Sequence, residues 1–316
     1  MPWNLLLSLA FLLPIAGPAS AASAPGRITE FRTPSLGSAP WGITGGPDGN
    51  IWFAENDANR IGRSTPRGQI VEFTIPTTEA RAQGIALGPD GNLWFTENGA
   101  NRIGRITPEG VITEFPLSAP AGPQGITAGP DGNLWFVATY GNWIGRITPQ
   151  GVITEFDLPH PNSFPEDIAA GPDGALWFTV GGVYRMMTDG TITDFYPVRG
   201  SGAYGITVGP DANIWFTNGI NQIGRLTLPG GSIKLFQNFQ VNLPQEITPG
   251  PDGNLWFTNT GNSKIGRFDP VSRAFVFIAT PTHDSVPTGI GEGPDGNIWF
   301  TENAVSKIGR VHLPHA

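Results

Sequence analysis

The sequence predicts an all-β fold, a seven-bladed β-propeller of four-stranded antiparallel blades, and two observations carry that expectation. One phrase returns seven times: Gly-Pro-Asp-Gly-Asn or a close variant, then an aliphatic residue, Trp and Phe. Its aspartates are Asp48, Asp90, Asp131, Asp173, Asp211, Asp252 and Asp295, spaced by 42, 41, 42, 38, 41 and 43 residues. A fixed period of this length marks one supersecondary unit copied around an axis or along a solenoid. The composition agrees. With 44 Gly, 31 Pro and 10% aromatics, the chain suits many short strands joined by tight turns rather than helices.

The second copy, 83–117, divides into four strands. Gly84-Ile85-Ala86-Leu87 is short and aliphatic, and Pro89-Asp90-Gly91-Asn92 is a turn in which Pro presets the first torsion and Asp, Gly and Asn suit the rest. Leu93-Trp94-Phe95-Thr96 is rich in β-formers. After a polar loop, Arg102-Ile103-Gly104-Arg105-Ile106 alternates polar and apolar residues as a half-buried strand does. Thr107-Pro108-Glu109-Gly110 turns again, and Val111-Ile112-Thr113-Glu114-Phe115 is the fourth strand. Four antiparallel strands in about forty residues make a propeller blade.

The strand count predicts how the ring closes. The seventh copy has no fourth strand after Lys307-Ile308-Gly309-Arg310-Val311, whereas Arg27-Ile28-Thr29-Glu30-Phe31 matches a fourth strand and has no blade of its own. The N-terminal strand should therefore complete the last blade and remove two exposed edges. The Trp-Phe pairs, Trp52/Phe53 through Trp299/Phe300, read as packing between blades. The turn aspartates read as turn formers rather than calcium ligands.

Around this domain, assigned to 25–316, the remaining features bear on compartment and partners. Leu5 to Ile15 is apolar but too short to span a bilayer, and Ala19-Ser20-Ala21 and Ala22-Ser23-Ala24 offer small-residue cleavage sites. Residues 1–24 are thus expected to be a signal peptide, and the protein periplasmic or secreted, although no Lys or Arg precedes the apolar run. There are no cysteines, hence no disulfides or Cys-ligated metal. A net charge of −8 gives no reason to bind nucleic acid or an anionic bilayer. No membrane insertion of the mature chain is expected, and the protein is expected to be a monomer.

Chemistry should lie where the repeats disagree, at the channel mouth. Leading into the first strands the seven copies present Trp41, Gln83, Gln124, Glu166, Tyr204, Gln245 and Thr288. After the Trp-Phe pairs they present Glu55, Glu97, Ala138, Val180, Asn218, Asn259 and Glu302. In a closed ring Glu302, Glu55 and Glu97 belong to neighbouring blades, and a cluster of them would raise one another's pKa values or hold Mg²⁺ or Ca²⁺. The alternative is that they point outward and pair with Arg60, Arg102 or Lys307. Of the histidines, His312 and His315 are near the chain end, while His160 and His283 lie in connections leading to first strands. Asp284 beside His283 and Glu302 would tune it as a base. Glu166, His283 and Glu302 are the candidate catalytic residues. No nucleophile elbow, phosphate loop, dinucleotide fingerprint or zinc-binding His-Glu-x-x-His is present, and no organic cofactor is expected.

The stretch Gly125-Ile126-Thr127-Ala128-Gly129-Pro130-Asp131-Gly132-Asn133-Leu134-Trp135-Phe136, with Ile144-Gly145-Arg146-Ile147-Thr148 and Ile153-Thr154-Glu155-Phe156, resembles the streptogramin B lyases, also called virginiamycin B lyases. The resemblance runs from about residue 26 to 311. It implies a seven-bladed propeller whose enzymes open cyclic depsipeptide antibiotics by elimination across the ester, aided by Mg²⁺. It also implies histidines leading into the first strands of the last two blades. Those positions are Gln245, in Pro244-Gln245-Glu246-Ile247, and Thr288, in Pro287-Thr288-Gly289-Ile290; a family glutamate falls on Val286 and another on Glu302.

Two main functions follow from the sequence. One is a diverged lyase acting on a cyclic ester or depsipeptide at the channel mouth. The other is a non-catalytic propeller that binds a glycan, peptide, small molecule or protein through Trp41, Gln83, Gln124, Tyr204, Gln245 and Thr288. A protein–protein scaffold is a third reading, which a large apolar patch on one face would support.

Overall fold

The computed structural model describes residues 26–200, 202–219 and 221–314, so the expected signal peptide lies outside the described residues. They form seven four-stranded antiparallel sheets. Blade 1 spans 40–74, blade 2 82–116, blade 3 123–157, blade 4 168–197, blade 5 203–237 and blade 6 244–279. The seventh comprises Pro287–Glu292, Ile298–Glu302 and Lys307–Val311, and its outermost strand is Ile28–Arg32. That strand runs antiparallel to Lys307–Val311, pairing Ile28 with Val311 through to Arg32 with Lys307. The closure expected from the orphan N-terminal strand is present.

The repeated phrase makes sense residue by residue. Each turn aspartate accepts a hydrogen bond from the indole Nε1 of the Trp four residues later, at 2.8–3.1 Å in all seven blades. The third-strand arginine paired with that Trp lays its guanidinium over the ring, 5.4–5.8 Å from the centroid. On the ring's other neighbour, the fourth-strand aromatic stacks against the same Trp in six blades, including Phe31 on Trp299 across the closure. The glycine of Ile-Gly-Arg leaves room for the Phe of the pair: a Cβ on Gly62 would stand 2.2 Å from Phe53 Cζ.

Successive side chains on a strand point to opposite faces, so Trp and Phe pack against different neighbours. Trp52 is buried with Ile85, Leu93 and Phe95 of blade 2, whereas Phe53 is buried with Trp299 and Ile308 of blade 7. Aromatic rings thus fill the space between all adjacent sheets, as expected from the repeated pairs. Several arginines continue across the gap: Arg63, Arg105 and Arg310 donate to the carbonyls of Pro108, Pro149 and Pro66.

The first strands form the inner ring, each touching the first strand of both neighbours. Second-strand threonines tie this ring together. Thr96 Oγ1 accepts from Gly84 N at 2.9 Å and donates to Gln124 O of the next blade at 2.8 Å. Thr217 donates to Gln245 O and Thr301 to Trp41 O in the same way, both at 2.6 Å. Among the described residues no helix is long and apolar enough to cross a membrane.

Two stability outcomes follow. Asp90→Ala removes the acceptor of Trp94 Nε1 and Asn92 N and should cost about 1–3 kcal/mol in a urea titration. Deleting residues 26–32 unstacks Phe31 from Trp299 and leaves Lys307–Val311 as an open edge. Its melting temperature should drop by more than about 5 °C in calorimetry.

Candidate active site

A cavity of about 260 Å³ opens at one end of the axial channel, lined by the opening residues of first strands from all seven blades. It contains six of the positions expected there: Trp41, Gln83, Gln124, Glu166, Tyr204 and Gln245. A bulge directs them inward. In blade 3, Pro123 pairs with Ala138 but Ile126 pairs with Phe136, so Gln124 and Gly125 share one opposing residue. Such a two-against-one register bends the strand and re-aims its side chains. The same shift occurs in blades 1, 2, 5, 6 and 7. Blade 4 differs. Its first strand begins only at Ile168, and Glu166 N and Asp167 O bond Thr179 instead.

The second bulge position matters as much as the first. It is glycine in five blades, Gly42, Gly84, Gly125, Gly205 and Gly289, and a Cβ on any of them would come within 2.1–2.5 Å of the neighbouring blade. In blades 4 and 6 the position carries Asp167 and Glu246, both lining the cavity. Asp167 Oδ2 accepts from Ile206 N of blade 5 at 2.9 Å. Glu246 Oε2 lies 3.2 Å from where a Cβ on Gly205 would stand, so the two acids flank Gly205. Neither was singled out from the sequence. The available signal was the replacement of glycine in the recurring X-Gly-Ile phrase.

The cavity lining holds three carboxyl groups and no Lys, Arg or His. Burial pushes Asp167 up to about 6 against hydrogen bonds from Ile206 and Ile168, and the Glu166 charge adds to the rise. Burial, then the charges of Asp167 and Glu166, raises Glu246 well above the usual carboxylate range. Burial alone raises Glu166. Gln124 Oε1 accepts from Thr139 Oγ1 at 2.8 Å, whereas the sheltered Gln83 Oε1 has no hydrogen-bond partner.

Other expected positions lie elsewhere. Thr288 is buried beside the cavity rather than lining it, and its Oγ1 donates to Val286 O. His283 and Asp284 are exposed in a loop and do not line the cavity.

Glu55, Glu97 and Glu302 neither cluster at the mouth nor point outward. Each is fully buried at the end of its second strand, facing the carboxyl of Glu72, Glu114 or Glu30 rather than a base. The bases expected to pair with them are engaged elsewhere in two of the three blades: Arg60 binds Glu72 at 2.7 Å and Lys307 binds Glu30 at 2.6 Å. The physical reason is strand alternation. Glu55 shares a face with Phe53, which packs between blades rather than into the channel. Burial, followed by the charge of Glu72, Glu114 or Glu30 of the same blade, pushes all three up to about 8. Among the described residues no three His, Asp or Glu side chains come together to hold a metal ion, so these glutamates do not fit a shared Mg²⁺ or Ca²⁺.

Comparison with known proteins places this geometry in a lineage. The profile of the virginiamycin B lyase family matches residues 19–197 and 181–315. The chain belongs to the virginiamycin B lyase family. Selenomethionine-substituted virginiamycin B lyase from Staphylococcus aureus is similar at 38% identity and a TM-score of 0.85, over 91% of this chain and 99% of that one. A streptogramin B lyase is similar at 36% identity and a TM-score of 0.86, over 92% of this chain and 98% of its own. A catalytically inactive histidine-to-alanine variant of the S. aureus virginiamycin B lyase, solved with quinupristin, matches at 38% identity, over 91% and 99% of the two chains, with a TM-score of 0.85. The propeller of this virginiamycin B lyase family member is therefore shared with the lyases over nearly its whole described length.

The buried glutamates set a pH dependence. Each binds its proton more tightly in the folded chain (about 8) than at its ordinary value of 4.5. Their contribution is complete below pH 4.5 and is lost as pH rises through about 8, at up to about 1.4 kcal/mol per pH unit for each group. The melting temperature should fall between pH 5 and 8. A triple variant with Gln at 55, 97 and 302, which keeps the neutral form's shape, should lose much of that slope.

Proposed function

We propose that this protein is an exported lyase that opens a cyclic ester or depsipeptide at the axial cavity, with a carboxylate as base. The observation that carries the reading is Asp167, a carboxyl group in the cavity whose affinity for a proton is raised to about 6. A base is most useful when its pKa lies near the working pH. Family membership supplies the reaction class, and the quinupristin relative supplies a substrate to try. The N-terminal apolar segment and its small-residue sites motivate export.

In this reading Asp167, or Glu166 beside it, removes the acidic proton α to a carbonyl. The C–H electron pair becomes the new C=C bond, the ester C–O bond breaks, and the ring opens with its carboxylate as leaving group. No water is consumed. The amide N–H groups of Gln83, Gln124 and Gln245 are the available donors for the enolate oxygen. Gln245 and Thr288 occupy the places where the resemblance puts histidines, so the carboxylates on blade 4 take the base's role. No step is assigned to Mg²⁺, because the candidate ligands do not assemble.

A second reading is favoured by the amides and aromatics of the lining: binding of a glycan or peptide without turnover. The deciding assay incubates purified protein with quinupristin, with and without Mg²⁺, and follows the product by mass spectrometry. Elimination gives a linear product of unchanged mass, whereas hydrolysis adds one water. Asp167→Asn should lower kcat/KM by at least about 100-fold. Undiminished turnover in both Asp167→Asn and Glu166→Gln would remove the carboxylate base from the mechanism. Binding with no ring opening would leave the non-catalytic reading.

A further inference from the structure

We propose that the ligand of the axial cavity carries a protonated amine, seated between Asp167 and Glu246 on either side of Gly205. The inference rests on the cavity being the binding site described above, and it adds the chemical class of the group bound there.

The first ground is uncompensated charge. Asp167, Glu246 and Glu166 line one cavity whose lining contains no basic side chain. Buried carboxylates ordinarily have a partner, because leaving one unpaired in a low-dielectric setting is costly. Elsewhere in this protein Glu72 is met by Arg60 and Glu30 by Lys307, while the packed-in Glu55, Glu97 and Glu302 hold their protons instead. The axial acids have no base beside them either, but they line a cavity that a ligand can enter.

The second ground is hydrogen bonding. Asp167 Oδ2 takes Ile206 N, but among the described residues none donates to the carboxylate of Glu246, which instead faces the charges of Asp167 and Glu166. Across the cavity Gln83 Oε1 is shielded and also has no partner. The cavity therefore presents acceptors that lack donors. An anion would be repelled, and a neutral alcohol would leave the charge uncompensated. A divalent ion needs a set of converging ligands that the described residues do not supply. An ammonium brings three donors and one positive charge, and it tolerates loose geometry.

The third ground is that these side chains are exceptions to the ring. Five blades keep glycine at this level, where an added Cβ would strike the next blade. Blades 4 and 6 carry acids there, on both sides of the same glycine. Trp41 and Tyr204 lie at the preceding level and offer aromatic faces to the hydrocarbon part of an amine or to the cation itself.

The test is isothermal titration calorimetry of the purified protein with benzylammonium chloride and with benzyl alcohol, its neutral counterpart. Benzylammonium should bind at least about ten-fold more tightly. Glu246→Gln keeps the side chain's shape and breaks no hydrogen bond of the fold, so it should retain the wild-type melting temperature while losing about ten-fold in benzylammonium affinity. Asp167→Asn, which keeps an acceptor for Ile206 N, should show a similar loss. Equal affinity for the two probes, or unchanged benzylammonium affinity in both variants, would overturn the inference. So would Mg²⁺ binding in the absence of any benzylammonium binding. Because the readout is binding, it separates from the lyase reading: amine binding without ring opening removes only the lyase, and ring opening without amine selectivity removes only this inference.

Discussion

The turn aspartate that holds the indole of the following Trp is the constraint on which the propeller depends. It fixes the hairpin between first and second strands and the tilt of a ring that fills the gap to the next blade. It also leaves the Trp face open to the third-strand arginine and the fourth-strand aromatic. Four strands are thus registered around one buried ring. In five blades the arginine also approaches the aspartate, closing the set as an ion pair. Because the Trp of one blade is the core of the next interface, local registration and ring assembly are one event.

With the outer sheet so constrained, variation concentrates at the axis. The threonine relays between blades hold the backbone of the inner ring at fixed spacing, so different side chains can occupy the bulge without moving it. That is how one repeat supports Gln83, Gln124 and Gln245 on some blades and Glu166, Asp167 and Glu246 on others. The channel mouth acquires a strongly polar, acidic half while the scaffold stays regular.

How much of this was legible depended on which physical signal each residue left. The closure could be read because Ile28-Thr29-Glu30-Phe31 repeats the fourth-strand phrase and had no other partner. Trp52 and Phe53 could be assigned to packing because seven identical placements suit a structural role. The mouth residues emerged by comparing one column across repeats, and six of its seven positions line the cavity. The adjacent column holds Asp167 and Glu246, whose departure from glycine was equally visible in the sequence. Glu55, Glu97 and Glu302 were placed at the correct end of their strands. Which way they turn depends on strand alternation relative to a neighbour, and the column alone does not contain it. Thr288 shows the same limit, since a small side chain at the mouth can satisfy itself on the Val286 carbonyl.

The borrowed outer strand also has a consequence for biosynthesis. Ile28–Arg32 leaves the ribosome before every other strand of the sheet to which it belongs, and its partner Lys307–Val311 leaves last. Until then the earliest-made strand stays without its native mate and the seventh sheet lacks its rim. Pairing over so long a loop is slow for entropic reasons. A chain that folds before this pair has formed is an open arc with two unpaired borders, each a template for strand exchange with a neighbouring copy.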